Sequence, residues 1–233
     1  MVPIKGLEKF APRDFPGFIS STIFLPGCNF RCPYCHNGDL VLHPDALPDI
    51  PLDFFIAFLD QRKDWLEGVC VTGGEPLLQP EIEGLLAVIK ERRLLVKIDT
   101  NGSRPERLAR LIEAHLVDWV AMDAKAPLER YPEVVGAPVD PLAIARSSEV
   151  IRGSGLPHIF RTTVVPGLVG DDDVRKIGEW LEGAPLYRIQ SFSPERTLDP
   201  AFESVQPFST DELKRMAETA RPFFGDVQID GMS

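Results

Sequence analysis

Three thiols fall within Cys28-Asn29-Phe30-Arg31-Cys32-Pro33-Tyr34-Cys35, with three and then two residues between them. Thiolates are soft ligands suited to zinc, copper(I) or an iron–sulfur cluster. A structural zinc site closes with four ligands, so His36 or Cys70 would have to complete it. Three cysteines wrapped along one loop can instead hold three irons of a [4Fe–4S] cube and leave the fourth iron open to a substrate. Unligated burial fits less well, because Asn29, Arg31 and His36 make the loop too polar for a core.

Other polar stretches could serve the same chemistry. In Gly73-Gly74-Glu75-Pro76 two glycines allow a backbone approach that a Cβ would block. Taken alone, the stretch is a turn with a solvated carboxylate. Asp99-Thr100-Asn101-Gly102 contains a common turn, and Ser103 could cap a helix with no ligand present. Asp123 and Lys125 stand two residues apart and point the same way in extended chain. If buried, they need a ligand or each other, and a plain salt bridge would satisfy them. Cys70, mid-strand, reads as core, and His43, His115 and His158 read as structural.

Strand and helix signals alternate in a way that could position these groups. Strands are expected over 19–25, 68–72, 94–98, 119–122, 158–165 and 186–192, with a short seventh at 227–229. Helical spacing follows at Leu52, Phe55, Ile56 and Leu59; at Ile82, Leu85, Leu86 and Ile89; at Leu108, Leu111 and Ile112; over 141–151; and at Val174, Ile177 and Leu181. Ser209-Thr210-Asp211-Glu212 is a capping-box pattern introducing a last helix. Repeated βα units call for a parallel sheet with right-handed crossovers, which open sheets and barrels both satisfy. The cysteine loop, the Gly-Gly stretch, Asp99-Thr100, Asp123-Ala124-Lys125, Pro166-Gly167 and Ser193-Pro194 each close a strand. Convergence on one rim favours a barrel-like cup.

The totals limit the function. At 233 residues the expectation is one domain over 1–233, with a lead-in at 1–18, a barrel core at 19–192 and a C-terminal extension with one helix at 193–233. A net charge of -10 argues against a nucleic-acid partner. No apolar run approaches membrane-spanning length, and the N-terminus lacks a secretory h-region. Four cysteines, three of them clustered, do not form a disulfide framework, so a reduced cytoplasm is the expected compartment.

The cysteine spacing, the aromatic Tyr34 before its third thiol and the run Val71-Thr72-Gly73-Gly74-Glu75-Pro76 resemble the radical S-adenosylmethionine (SAM) superfamily. The resemblance implies a partial (β/α)6, TIM-like barrel with its parallel sheet open on one side. It implies a [4Fe–4S] cluster held by Cys28, Cys32 and Cys35, with the amino and carboxylate groups of SAM on the open iron. Gly73, Gly74 and Glu75 would hold the SAM ammonium, while Tyr34 packs near adenine and Asn37 contributes to the cofactor site. The chemistry implied is reductive cleavage of SAM to methionine and a 5′-deoxyadenosyl radical, which abstracts a hydrogen atom.

Softer segments, including Ile4-Lys5-Gly6-Leu7, Asp14-Phe15-Pro16-Gly17 and the cysteine-free stretch 38–51, resemble the activating enzymes of glycyl-radical proteins, in the compact form that serves anaerobic ribonucleotide reductase. In that branch Lys125 would contact the SAM carboxylate. Asp99, Thr100 and Asp123 would surround SAM, with a monovalent cation among them. The implied partners are a large glycyl-radical protein, whose glycine enters an unlidded barrel mouth, and a flavodoxin or ferredoxin reductant. A pyruvate formate-lyase type of target and a small-molecule substrate are the alternatives, and a zinc-binding module is the non-enzymatic one. Ser193 stands where some pyruvate formate-lyase activases place a histidine.

Overall fold

The computed structural model describes residues 2–230. Its elements run β1 (Gly6–Glu8), β2 (Ser20–Leu25), α1 (Gly38–Leu42), α2 (Leu52–Asp60), β3 (Gly68–Gly73), α3 (Ile82–Lys90), β4 (Leu95–Thr100), α4 (Pro105–Glu113) and β5 (Trp119–Asp123). There follow α5 (Tyr131–Val135), α6 (Pro141–Gly153), β6 (His158–Val164), α7 (Asp171–Leu181), β7 (Leu186–Ser191), α8 (Thr210–Ala220) and β8 (Asp226–Ile229). The chain divides into two units. The first comprises the chain up to Asn29, Asp39–Thr100 and Arg104–Val120; the second comprises Phe30–Gly38, Asn101–Ser103 and the chain from Ala121 on.

In the first unit β2, β3 and β4 are parallel neighbours, with Ser20 opposite Gly68 and Gly68 opposite Leu95. These strands are buried on nearly every residue, as parallel strands covered by helices must be. The helices α2, α3 and α4 each bury one apolar stripe, led by Phe55 and Leu59, by Leu86 and Ile89, and by Leu108 and Leu111. Asp118 accepts both from Lys90 Nζ and from the Val96 amide, each at 2.7 Å, and so ties α3 to the start of β4. The lead-in is part of this core. β1 pairs antiparallel with β2, and the fully buried Phe15 ring lies where a Cβ on Gly68 would come within 2.8 Å of it.

In the second unit β6, β7 and β8 are parallel, with Tyr187 between Phe160 and Val227. Tyr187 stacks on Phe224 at 4.4 Å between ring centroids. The Ser209/Glu212 capping box forms at the start of α8 as expected. Gly178 lets α7 pack against Phe223, whose ring would lie 2.4 Å from an added Cβ.

The sequence pattern locates every principal strand and helix, but it passes over three short elements. β1 lies inside the lead-in, and α1 and α5 lie in stretches read as connectors. Each has five residues or fewer, too short for a periodic signal.

Candidate active site

In the first unit, the residues that lead into Cys28 are fixed by backbone. Gly74 N–H donates to the Leu25 carbonyl at 2.9 Å, and Glu75 N–H donates to the Gly27 carbonyl at 2.8 Å. The Gln79 side-chain amide donates to the Pro26 carbonyl at 2.6 Å. Gly73, at φ +124, would place a Cβ 2.3 Å from Leu25 backbone atoms, and one on Gly74 would lie 1.9 Å from the Gly27 oxygen. The room that the two glycines leave is therefore taken by the chain's own backbone. Glu75 is fully buried, and its Oε1 accepts from the Leu77 amide at 3.0 Å and from the Thr100 hydroxyl at 2.8 Å.

The same unit holds a group that the sequence reading missed. Lys97 is buried on β4 and forms an ion pair with Asp99. Its Nζ also lies 3.6 Å from Cys70 Sγ and 5.4 Å from the centre of the Trp119 ring. The i, i+2 spacing that relates Asp123 to Lys125 also relates Lys97 to Asp99, and it would have revealed this pair.

In the second unit, the cysteine loop continues with Cys32 buried, Cys35 and Asn37 half-buried, and the Cys35 amide on the Cys32 carbonyl at 3.1 Å. Tyr34 is buried, and its hydroxyl has no hydrogen-bond partner; burial first, then Cys32, pushes this phenol well above its ordinary pKa. The loop rests on the stretch around α5. Arg31 N–H donates to the Val135 carbonyl at 2.8 Å, and the Phe30 ring meets Tyr131 edge-on at 6.4 Å. At Gly136, φ is +59, and an added Cβ would lie 2.6 Å from the Arg31 oxygen.

Asp123 and Lys125 do share one side, at 3.3 Å, and Arg161, also unread in the sequence, binds the other Asp123 oxygen at 2.8 Å. Burial alone would raise the Asp123 pKa, but Arg161 and then Lys125 outweigh it and hold the carboxyl at about 2. Burial alone would lower the Lys125 pKa; Asp123, followed by Cys32, Tyr34 and Cys35, reverses that and raises it well above its ordinary value. The buried Tyr131 hydroxyl donates to the Asp123 carbonyl and accepts from the Lys125 amide, both at 3.1 Å, and so locks the strand end. Asn101 Oδ1 accepts the Ser103 amide at 2.9 Å, so the turn is closed by Asn101, and the helix that follows has no side-chain cap.

The donor set fits a cluster better than zinc. None of the four cysteines is in a disulfide. His36 Nδ1 lies 3.0 Å from the Glu195 carbonyl, and Cys70 is engaged by Lys97 and Asp99, so both candidate fourth ligands have other contacts. Among the described residues no group of three His, Cys, Asp or Glu side chains is arranged to hold a metal ion. A cube of irons, which holds its thiolates further apart than one ion does, asks only for cysteines along a loop that are not in disulfides. The Ser193 hydroxyl accepts from the Glu195 amide at 3.5 Å.

Residues 22–181 match the family model described as the Radical SAM superfamily. This chain belongs to the radical SAM superfamily. A Methanocaldococcus jannaschii protein, provisionally named a glycyl-radical enzyme activating enzyme, is 32% identical over 97% of this chain and 95% of its own length. The pyruvate formate-lyase-activating enzyme of Streptococcus mutans is 28% identical over 81% of this chain and 74% of its own. The radical SAM chain is thus an enzyme of the activating type, and membership of the superfamily implies a [4Fe–4S] cluster and SAM.

Among solved structures, Streptococcus suis SuiB bound to S-adenosylmethionine matches with a TM-score of 0.67 at 15% identity, over 90% of this chain and 52% of SuiB. Coproporphyrinogen III oxidase from Escherichia coli matches with a TM-score of 0.61 at 13% identity, over 91% of this chain and 53% of its own. The radical SAM chain spans about half the length of each, and at these identities the likeness shows the fold alone. That fold agrees with the α/β partial (β/α)6 barrel read from the sequence.

Two predictions follow from the geometry of the second unit. Gly136→Ala must adopt a left-handed backbone and displace the Arg31 carbonyl. It should cost at least about 1–2 kcal/mol in urea unfolding and reduce the iron retained after anaerobic reconstitution; wild-type values for both would show that the close approach of Gly136 to Arg31 does not support the loop. Asp123 has a lowered pKa, so its stabilisation is present above the ordinary carboxyl value and is lost as pH falls through about 2. Between about pH 5 and pH 2, cluster-free wild type should lose about 2 kcal/mol more stability than Asp123→Asn. Parallel pH profiles would show that the ion pairs contribute nothing.

Proposed function

We propose that this enzyme uses reductively cleaved SAM to install a glycyl radical on a large partner protein. The observation that carries this reading is the match, at nearly full length on both sides, to a relative named as a glycyl-radical enzyme activating enzyme. In this reading Cys28, Cys32 and Cys35 hold three irons of the [4Fe–4S] cluster. The bound cluster supplies one electron at a low potential to the sulfonium of SAM. The surroundings are the protein's work. Lys125 and Arg161, which share Asp123, are the cations for the SAM carboxylate, and the buried Tyr34 packs near adenine. Gly73, Gly74, Glu75 and Thr100 fix the stretch that leads into Cys28, and Asn37 lines the cofactor site beyond Cys35.

The partner we favour is anaerobic ribonucleotide reductase, on the compact stretch 38–51, with a flavodoxin or ferredoxin as electron donor. A pyruvate formate-lyase type of target is the second reading, favoured by the names of relatives such as the Streptococcus mutans enzyme. In either case a glycine Cα–H of the partner is the hydrogen donor, so the partner segment must be locally unfolded to reach the site. No helix among the described residues is long and apolar enough to cross a membrane.

The test mixes the reconstituted enzyme, SAM and reductant with each partner from the same genome. An electron paramagnetic resonance doublet on the reductase, with one 5′-deoxyadenosine per radical, is expected. A doublet on the lyase alone moves the target to the second reading. SAM turnover that leaves every glycyl-radical candidate diamagnetic overturns the activase assignment.

A further inference from the structure

Lys97 is a buried cation with no place in the site as read from the sequence. Its side chain is 2% exposed, and the paired Asp99 is 12% exposed. Cys70 faces Lys97 across β3 and β4, and Trp119 covers the ammonium from another side. An ammonium taken this far out of water is tolerated only with a matched anion. A hydrophobic residue would fill the position on a strand otherwise lined by Val96 and Ile98 at no such cost. The charge therefore has a use at the Asp99 carboxylate.

The family resemblance gives Asp99 and Asp123 to a monovalent cation beside SAM. The observed pairing disagrees with that. Asp99 is already neutralised by Lys97 within the first unit. Within the second unit, Asp123 has Arg161 on one oxygen and Lys125 on the other. A metal cation is drawn to carboxylates with negative charge to spare, and each of these carboxylates is already met by a protein cation. A further cation at Asp123 would stand beside Lys125 and Arg161 and be repelled by both.

We propose that Lys97 is a built-in cation: its ammonium neutralises Asp99, and the enzyme binds SAM without sodium or potassium. The proposal rests on the SAM reading above. Lys97 acts through Asp99 and is a positioning residue. Replacing it with neutral methionine of similar reach leaves Asp99 a buried, unmatched carboxylate, which a small monovalent cation would then enter to neutralise.

The test uses reconstituted enzyme in tetramethylammonium, sodium or potassium chloride at equal ionic strength. The thermal midpoint without SAM and the dissociation constant for SAM are both measured. Wild type should give the same midpoint and the same affinity in all three salts. Lys97→Met should bind SAM at least about tenfold more weakly in tetramethylammonium and recover when sodium or potassium is added. A wild-type midpoint or SAM affinity that rises only with sodium or potassium overturns the proposal, as does a Lys97→Met protein with wild-type affinity in every salt. The midpoint series involves no SAM. A protein that never binds SAM loses the reading above while the salt series still decides the cation question, and a Lys97→Met chain that does not fold leaves the wild-type series to decide it.

Discussion

The close approach of two backbones, Gly73–Gly74 against Leu25–Gly27, is the constraint on which the cysteine loop depends. The parallel pairing of β2 and β3 ends with Leu25 opposite Gly73, and the chain there has no room for a side chain. Two amides and the Gln79 side chain then hold the carbonyls of Leu25, Gly27 and Pro26. Cys28 thus leaves the sheet in a direction set by sheet geometry. Glu75 and Thr100 complete the arrangement by satisfying each other in a place with no exposure. A buried carboxylate without such donors would be expelled or protonated.

In each unit a carboxylate near a strand end is met by protein cations. Lys97 answers Asp99 in the first, while Arg161 and Lys125 answer Asp123 in the second. Ion pairs taken out of water add little stability over an apolar replacement, so their retention points to binding. The order of magnitudes supports this. Arg161 and Lys125 overcome the desolvation of Asp123 and still hold it at about 2, so the carboxylate stays ionised at any physiological pH.

Much of this was legible in the sequence because it rests on short-range rules. The alternation of strand and helix gave the fold class, the capping box at Ser209 formed as read, and Asp123 and Lys125 do share a side. What stayed hidden depends on contacts distant in sequence. Arg161 meets Asp123 only because β6 brings it there, and Tyr131 reaches the same strand end from a helix too short to show a period. Lys97 stayed hidden because one lysine inside the apolar run 94–98 does not show which groups it meets across the strands. The glycines show a further need that the sequence did not reveal: a Cβ on either would collide with the backbone of Leu25 or Gly27.

The central claim is that three thiols on one loop hold a cluster that cleaves SAM. The most direct measurement is iron, sulfide and zinc content after anaerobic reconstitution, followed by 5′-deoxyadenosine formed on reduction with SAM. The same assay is run on Cys28→Ala, Cys32→Ala and Cys35→Ala. The account predicts about four irons and matching sulfide per chain, 5′-deoxyadenosine from wild type and none from any of the three variants. Stoichiometric zinc without sulfide, or undiminished cleavage by a variant that lacks one of these thiols, would contradict it.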